Sequence, residues 1–278
     1  MTILIFTLLL LAGASVAGLL GSLTGLGGGV IIIPLLALVF KVDIHYAIGA
    51  SLISVIATSS GAASAYVKEG ITNMRLGMFL ELATTIGAIS GAFLASYIST
   101  SVIAIIFGTV LIFSAITSLM KKEDPIEINH KSVIAKRLKL NSSFPTQYGE
   151  QSYTVKNVGG GFFIMNIAGV ISGLLGIGSG ALKVIAMDNI MRIPFKVSTT
   201  TSNFMIGVTA AASAGIYLKR GYIDPGLSMP VVLGVLIGAF FGSKILFIVK
   251  SSTLRILFAI VIFALAIEMI YNGITHQI

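Results

Sequence analysis

The sequence predicts an all-α integral membrane protein that crosses the bilayer several times and is built from two homologous repeats. Of its 278 residues, 56% are hydrophobic and only 10% are charged, whereas about a quarter of the residues in soluble domains are charged. Apolar segments of about 20 residues, enough for one helical crossing, recur along the chain. A pattern of glycines also recurs 151 residues later in the same register, which indicates an internal duplication.

These segments divide the chain into a first transmembrane repeat (1–120), a basic linker (121–156) and a second transmembrane repeat (157–278). Each repeat is predicted to hold four full-length helices and one short helix, which is about 20 Å long and cannot cross a hydrocarbon core of roughly 30 Å. The predicted helices are 2–23, the short 28–40, 46–67, 76–98 and 101–120, followed by 157–175, the short 180–191, 197–218, 227–248 and 253–273.

The orientation of the two repeats depends on how often each one crosses the membrane. An odd number of crossings gives inverted repeats, and an even number gives parallel repeats. With the basic linker inside, inversion places Arg192 and Lys196 inside and Lys219 and Arg220 outside, whereas the parallel alternative reverses them. The excess of basic residues expected on the inner side favours inversion.

Two glycine-rich segments interrupt the apolar sequence at matching positions of the repeats. Glycine costs about 1 kcal/mol in a helix interior, so each segment predicts a broken helix, which at membrane depth must be covered by protein or water. The short helix after each break would point its free N–H groups and positive dipole end at the break, as in transporter anion sites. The alternative is that these glycines only permit close packing, as expected for Gly87-x3-Gly91 and Gly238-x3-Gly242. The predicted substrate-binding residues are Gly25, Gly27, Gly28 and Gly29 in the first break, and Gly176, Gly178, Ser179 and Gly180 in the second.

Lys183 lies in the second short helix, where the first repeat has Ile32. A lysine at membrane depth is a functional hypothesis by default, with snorkelling to the interface or pairing with Asp188 as alternatives. A polar run opens the next helix, and hydroxyl and amide groups can hydrogen-bond a tetrahedral oxyanion. The residues of this run predicted to line the site are Thr200, Thr201, Ser202 and Asn203. The matching serines and threonines of the first repeat are expected to join helices instead.

Glu81 and Asp188 are the candidates for proton coupling, because a carboxyl group within a span can carry a proton. Glu81 lies near the predicted start of its helix and corresponds to Val232, so solvation at the membrane interface is its alternative explanation. The chain has no cysteine, and its histidines show no spacing typical of a metal site. Neither a cofactor nor an enzymatic activity is predicted.

The segment around the first break, Gly21 to Pro34, has the sequence GSLTGLGGGVIIIP. It resembles the opening motif of the TauE/SafE family of sulfite and sulfonate exporters. Gly173 to Gly180 resembles the second copy of that motif, as does the stretch Ser198 to Asn203, and the resemblance covers nearly the whole chain. It implies a secondary transporter that exports small sulfur-containing anions such as sulfite, sulfonates or sulfoacetate, coupled to the proton gradient. It also implies a multi-pass protein of a prokaryotic cytoplasmic membrane, with linker 121–156 in the cytoplasm.

Several other functions use similar sequence features. A passive anion channel, or a permease for another small organic anion, would share the predicted site. A cation permease would need acidic residues at the breaks, and a membrane enzyme would need a nucleophile, base or metal cluster; neither pattern is present. The expected partners are therefore a small anion and the lipid bilayer, with a homodimer left open. The net charge of +8 is explained by the basic linker rather than by nucleic-acid binding.

Overall fold

The computed structural model describes residues 3–24, 28–68, 70–119, 132–146, 149–245 and 251–275. The first repeat comprises α1 (Ile3–Thr24), α2 (Gly29–Pro34) with a π-helical turn (Leu35–Val39), α3 (Ile44–Lys68), α4 (Met74–Ala95) and α5 (Thr100–Leu119). The linker contains α6 (Val133–Arg137), β1 (Ser142–Thr146) and β2 (Gly149–Tyr153). The second repeat comprises α7 (Val158–Leu175), α8 (Gly180–Ile185) with a π-helical turn (Ala186–Ile190), α9 (Phe195–Lys219), α10 (Pro225–Ile245) and α11 (Ser251–Ile274).

The predicted fold class is confirmed, since the structure is an all-α bundle suited to a membrane. Every predicted full-length helix is present, with its ends displaced by at most three residues. Within the described part of the chain, α1, α4 and α7 are long and apolar enough to cross a bilayer, and shorter apolar helices accompany them. Large apolar side chains cover the outer faces, for example Leu82 at 61% exposure on α4. Such an apolar exterior fits a lipid environment.

The secondary structure repeats as the glycines do, at an interval of 151 residues. Both short helices continue into a five-residue π-helical turn, and each turn is followed by a basic residue with positive φ, Lys41 at 54° and Arg192 at 56°. The sequence did not predict these turns, and we have no physical account of them. Pro34 lies before the first turn, but Ile185 stands at that position in the second repeat, so proline is not the common cause.

Close helix contacts are made where the glycine pairs predicted them. On α4, a Cβ at Gly87 or Gly91 would collide with the backbone of α7 at Asn166 and Val170. On α10, Gly238 meets the α1 backbone at Ser15 in the same way. The packing role predicted for these glycines is therefore confirmed for the described positions, and it holds together the pairs α4–α7 and α1–α10.

Corresponding helices of the two repeats pack against each other in opposite directions. The start of α3 lies beside the end of α9, where the His45 ring stacks on Tyr222 with centroids 4.9 Å apart. Further along α3, Ser59 faces Gly207. On α5 and α11, Gly108 lies beside Ile270, which again gives antiparallel neighbours because Gly273 lies beside Ser101. This is the arrangement that the inverted alternative requires.

The linker is a folded element where the sequence predicted only a polar connection. Its strands form an antiparallel hairpin in which Ser142 pairs with Tyr153. Apolar side chains of the linker pack in one core with the ends of α4, α7 and α9; they are Ala135, Leu140, Phe144, Tyr153 and Val155. A few apolar residues within a charged segment therefore dock it onto one end of the bundle.

Asn73, the N-cap of α4, fixes this docking. Its side-chain Oδ1 accepts from the Leu76 N–H at 3.0 Å. Its Nδ2 donates to the Leu140 carbonyl and to the Tyr153 hydroxyl, both at 2.8 Å. Its backbone N–H donates to Thr201 Oγ1 on α9 at 3.1 Å. One side chain thus caps a helix and anchors the linker, next to a direct contact between the repeats.

Candidate functional site

The structure brings the two breaks together in the interior of the bundle. Ser51 on α3, which is fully buried, donates a hydrogen bond of 2.9 Å to the carbonyl of Gly176 in the second break. A Cβ at Gly29, the first residue of α2, would lie 2.5 Å from Ser51 Oγ and 3.3 Å from the Gly176 oxygen. Gly28 accepts from the Ile31 amide at 3.1 Å and so begins the short helix. Gly25 and Gly27 lie outside the described residues.

The second break has a backbone that favours glycine. Gly176 and Gly178 have φ values of +66° and +71°, a region that side chains with a Cβ rarely adopt. A Cβ at Gly178 would also lie 2.7 Å from Ile206 on α9. Ser179 follows with a φ of +45° although it is not glycine. The predicted break of the helix is therefore observed here, and it positions the start of α8 at Gly180.

Ser179 is the most exceptional polar residue of the break. Its side chain is 3% exposed, and its hydroxyl has no hydrogen-bond partner among the described residues. It borders a cavity of about 10 Å³, room for about one water molecule. The other lining residues are Val30, Val110, Ser114, Ile177, Gly180 and Leu182, so both short helices and α5 contribute. An unpaired buried hydroxyl is costly, which makes it a candidate ligand group.

The predicted polar run on α9 is buried, but its residues have different partners. Ser202 Oγ donates to the Gly180 carbonyl at 3.2 Å and so contacts the break. Thr201 accepts from Asn73 at the linker end. Thr200 Oγ1 bonds to carbonyls of its own helix, and Asn203 is 9% exposed. In this conformation Ser202 is the residue of the run that touches a break.

The hydroxyls of α3 mostly do not join helices, and that expectation is wrong for four of them. They bond to carbonyls of α3 itself, one turn earlier, as serine and threonine in helices often do. The four are Ser54, Thr58, Ser59 and Ser60. Ser51 is different because its bond reaches Gly176 in the other repeat.

Lys183 points into the protein rather than toward the membrane surface. Its side chain is fully buried, at 0% exposure, so the snorkelling alternative is wrong. Its Nζ donates to Thr209 Oγ1 on α9 at 2.5 Å. Asp188, the other acidic candidate, lies in the π-helical turn after α8 and is 4% exposed. Lys183 is not among the residues that line the small cavity, although its neighbour Leu182 is.

Glu81 is buried on α4, at 7% exposure, so solvation at the interface does not explain it. Its Oε1 accepts hydrogen bonds from Thr209 Oγ1 at 2.6 Å and from Thr85 Oγ1 at 3.2 Å. Its Oε2 has no partner among the described residues. Lys183, Thr209 and Glu81 therefore form a continuous hydrogen-bonded chain from the second repeat to the first. We call these three residues the charge relay.

Sequence reasoning missed Thr209, and with it the connection between the two charges. Thr209 is 128 residues from Glu81 and stands on α9 among many other small polar residues. The repeat contained a usable signal. Lys183 and Glu81 occupy positions where the opposite repeat has Ile32 and Val232. Two charges that both replace aliphatic residues at matched positions are expected to be partners, because an unpaired charge is expensive in an apolar core.

The structure also bears on metal binding. Within the described ranges, no three His, Cys, Asp or Glu side chains lie close enough together to hold a metal ion.

Comparisons of the sequence with known proteins find related membrane transporter proteins. The sequence model of the family described as "Sulfite exporter TauE/SafE" matches residues 9–269. The "Probable membrane transporter protein YunE" of Bacillus subtilis is 28% identical over 277 residues, which is 97% of this chain and 98% of the relative. The "Probable membrane transporter protein YdhB" of the same organism is 28% identical over 82% of this chain and 85% of the relative. In Methanocaldococcus jannaschii, the "Probable membrane transporter protein MJ0441" is 26% identical over 87% and 85%. No solved structure matches the chain.

Proposed function

The chain belongs to the sulfite exporter TauE/SafE family of multi-pass membrane transporters, and we propose that it is a secondary transporter that exports small sulfur-containing anions by alternating access. The observation that carries the proposal is that the two breaks lie next to each other. Gly29 of the first break adjoins Ser51 and the Gly176 carbonyl, and the Ser51 hydroxyl bonds to Gly176 of the second break. Discontinuous helices of transporters hold their substrates at such places in the protein interior.

The groups around the breaks suit an anion with several oxygens. A sulfonate or sulfite offers acceptor oxygens and a negative charge, which neutral donors and a lysine can satisfy. The Ser179 hydroxyl is buried without a partner, the first amides of α8 lack intrahelical acceptors, and Lys183 supplies a positive charge. The glycines of both breaks let the backbone approach the ligand, and Thr200, Thr201, Ser202 and Asn203 would complete the lining.

Substrate entry requires the two repeats to move. The cavity at Ser179 has room for about one water molecule, which is less than a sulfonate group needs, so the residues around it must move apart to bind the substrate. Rocking of one repeat against the other would open it to each side in turn. This requirement distinguishes a transporter from a passive channel, whose pore would stay open to both sides.

The linker end of the bundle is proposed to face the cytoplasm. Asn73 contacts the linker, and the Lys156 amide donates to the Met191 carbonyl at 3.0 Å, so both neighbouring loops lie at that end. Arg75, Arg192 and Lys196 accompany the linker there, as the inverted orientation and the positive-inside rule require.

Transport by the purified chain in proteoliposomes tests this function. We expect saturable uptake of at least one of sulfite, sulfoacetate and isethionate, with lactate as the competing organic anion and an imposed pH gradient accelerating flux. Flux that never saturates and ignores the pH gradient would identify a channel. Flux of lactate alone would overturn the substrate class.

A matched pair of serine variants tests the position of the site. Ser51 and Ser54 are both fully buried on α3, but only Ser51 bonds across to the second break. Ser51→Ala is expected to reduce flux by about threefold to tenfold, since a hydrogen bond contributes about 0.5–1.5 kcal/mol. Ser54→Ala is expected to retain wild-type flux. Equal flux in both variants would contradict a site between the breaks.

A further inference from the structure

The charge relay exists on one side only of an otherwise repeated structure. At an offset of 151 residues, the counterparts of Lys183, Thr209 and Glu81 are Ile32, Thr58 and Val232. The threonine is therefore kept, and an aliphatic residue stands in place of each charged one. A bundle of this design therefore packs without the charges. Buried ion pairs are weak contributors to stability compared with apolar residues of similar size, so packing alone does not explain why this pair is present.

Thr209 gives the relay two alternative hydrogen-bond arrangements. A hydroxyl has a single proton to donate and two lone pairs to accept with. Thr209 Oγ1 accepts from Lys183 and has two acceptors within reach, Glu81 Oε1 at 2.6 Å and the Met205 carbonyl at 2.9 Å. While Glu81 balances Lys183, the hydroxyl donates to Glu81 Oε1. When Glu81 is neutral, the hydroxyl can keep that bond or turn to the Met205 carbonyl, so the relay does not depend on a single arrangement.

The second carboxylate oxygen provides a place for that proton. Glu81 Oε2 is buried and has no partner among the described residues, whereas Oε1 already accepts from Thr209 and Thr85. A proton on Oε2 would therefore break no existing hydrogen bond.

Few other charges face the relay. Of the elements packed on α4 and α8, α5 and α7 contain no charged residue. The π-helical turn after α8 contributes Asp188, which is buried and has an interaction of its own. The remaining charges on α4 and α9 lie at exposed helix ends and are Arg75, Lys196 and Lys219. Glu81 and Lys183 therefore depend mainly on each other for charge balance.

We propose that Glu81 is the exchangeable counter-ion of Lys183 and couples each transported anion to one proton. This proposal rests on the proposed function. An arriving anion takes over from Glu81, which balances the charge of Lys183 through the Thr209 hydroxyl, and Glu81, now without a counter-charge, binds a proton on Oε2. The site is then neutral in both conditions: Lys⁺ with Glu⁻ when empty, and Lys⁺ with the anion and protonated Glu when loaded. States with one unbalanced buried charge are avoided because they are strongly unfavourable. Anion and proton move together, and the transport of a monovalent anion is electroneutral. Each exported anion then takes one proton out with it, so export follows the outward gradient of the anion itself and is not driven by an inward proton gradient.

Measurement of proton flux with isethionate, a sulfonate with one permanent negative charge, tests this coupling. In proteoliposomes of the full chain, the wild type is expected to move protons and isethionate in equal number. An imposed membrane potential is expected to leave its rate unchanged. Glu81→Gln keeps the shape but cannot bind the proton, so its isethionate flux is expected to carry no protons and to respond to the potential.

The repeat supplies a control for the structural alternative, in which the pair only stabilises the fold. Glu81→Val with Lys183→Ile reproduces the residues already present in the other repeat. If the pair is only structural, this double variant will carry protons and isethionate in the wild-type ratio, which would overturn the proposal. We expect instead the loss of proton coupling and a fall in isethionate flux of about tenfold or more, the factor that corresponds to losing one charged contact.

The outcomes separate the two proposals. If the wild type moves none of sulfite, sulfoacetate and isethionate, the proposed function fails and the exchange fails with it. If the wild type moves isethionate without matching proton flux, or if Glu81→Gln retains wild-type coupling, the exchange alone is wrong. Coupled flux in the wild type that is lost in Glu81→Gln supports both.

Discussion

Lys183 and Glu81 illustrate at the scale of single residues how a membrane-buried charge is made tolerable. Each is almost fully buried, and each would be expensive alone. A single hydroxyl, that of Thr209, contacts both. From the sequence, the unusual location of Lys183 was predictable, and Glu81 could have been identified as its partner because both replace aliphatic residues of the other repeat. The connection through Thr209 was not predictable, because Thr209 is one of many small polar residues on α9.

Stability measurements on the relay test this dependence. Removing one partner, as in Lys183→Met or Glu81→Val, leaves the other charge uncompensated and is expected to cost about 3–5 kcal/mol. Restoring balance with Glu81→Val and Lys183→Ile together is expected to bring stability back to near that of the wild type. Thermal unfolding midpoints of the purified variants in detergent provide the measurement. A double variant less stable than either single variant would show that the two charges are independent.

At the scale of elements, the linker hairpin and the N-terminus of α4 form one structural unit. Asn73 caps α4 and binds both the Leu140 carbonyl and the Tyr153 hydroxyl. The helices themselves were predictable from their apolar lengths to within a few residues. The hairpin was not, because its short apolar positions are dispersed among charges and become a core only through contact with the bundle.

Removal of the Asn73 side chain tests the anchoring of the hairpin. Asn73→Ala is expected to lose the helix cap, worth about 0.5–2 kcal/mol, and to loosen the linker. Trypsin should then cleave faster at Lys136, Arg137 and Lys139, as followed by gel electrophoresis of the intact protein. Tyr153→Phe loses only one of these hydrogen bonds and is expected to give an intermediate rate. Wild-type cleavage of Asn73→Ala would show that apolar packing alone holds the hairpin.

Alkaline pH offers a second test of the same unit. Burial raises the pKa of Tyr153 from 10.0 to about 12. A raised folded-state pKa means that the neutral form is favoured by folding, so its stabilisation is complete below about pH 10 and is lost as pH rises toward 12. Protease resistance of the hairpin is expected to fall over that interval in the wild type. Tyr153→Phe should show a weaker dependence, and identical pH profiles would contradict the assignment.

At the scale of the whole molecule, the duplication governs the arrangement of helices. The glycine register predicted two similar repeats, and the bounds of α2 and α3 recur in α8 and α9 at the same interval of 151 residues. Relative orientation was harder to predict, because it depends on whether the short helices complete a crossing. In the structure, α3 and α9 run in opposite directions and the loops at Asn73 and Met191 lie together at the linker.

Cysteine labelling tests that orientation in cells. The chain has no native cysteine, so single introduced cysteines report without background. Arg75 and Gly226 are exposed counterparts in the first turns of α4 and α10. Inverted repeats predict that a membrane-impermeant maleimide labels Gly226→Cys in intact cells and Arg75→Cys only after lysis. Labelling of both from the same side would identify parallel repeats.

The linker occurs once, whereas the helices around it occur twice, and this difference has an energetic consequence. At the linker end, the hairpin bonds to Asn73 of the first repeat and, through Lys156, to Met191 of the second. At the opposite end, the Arg220 guanidinium of the second repeat donates to the Ala92 and Phe93 carbonyls of the first, at 3.4 Å. Each hydrogen bond contributes about 0.5–1.5 kcal/mol, so the difference between these two unlike sets of bonds is expected to decide the side to which the substrate-free protein opens more often.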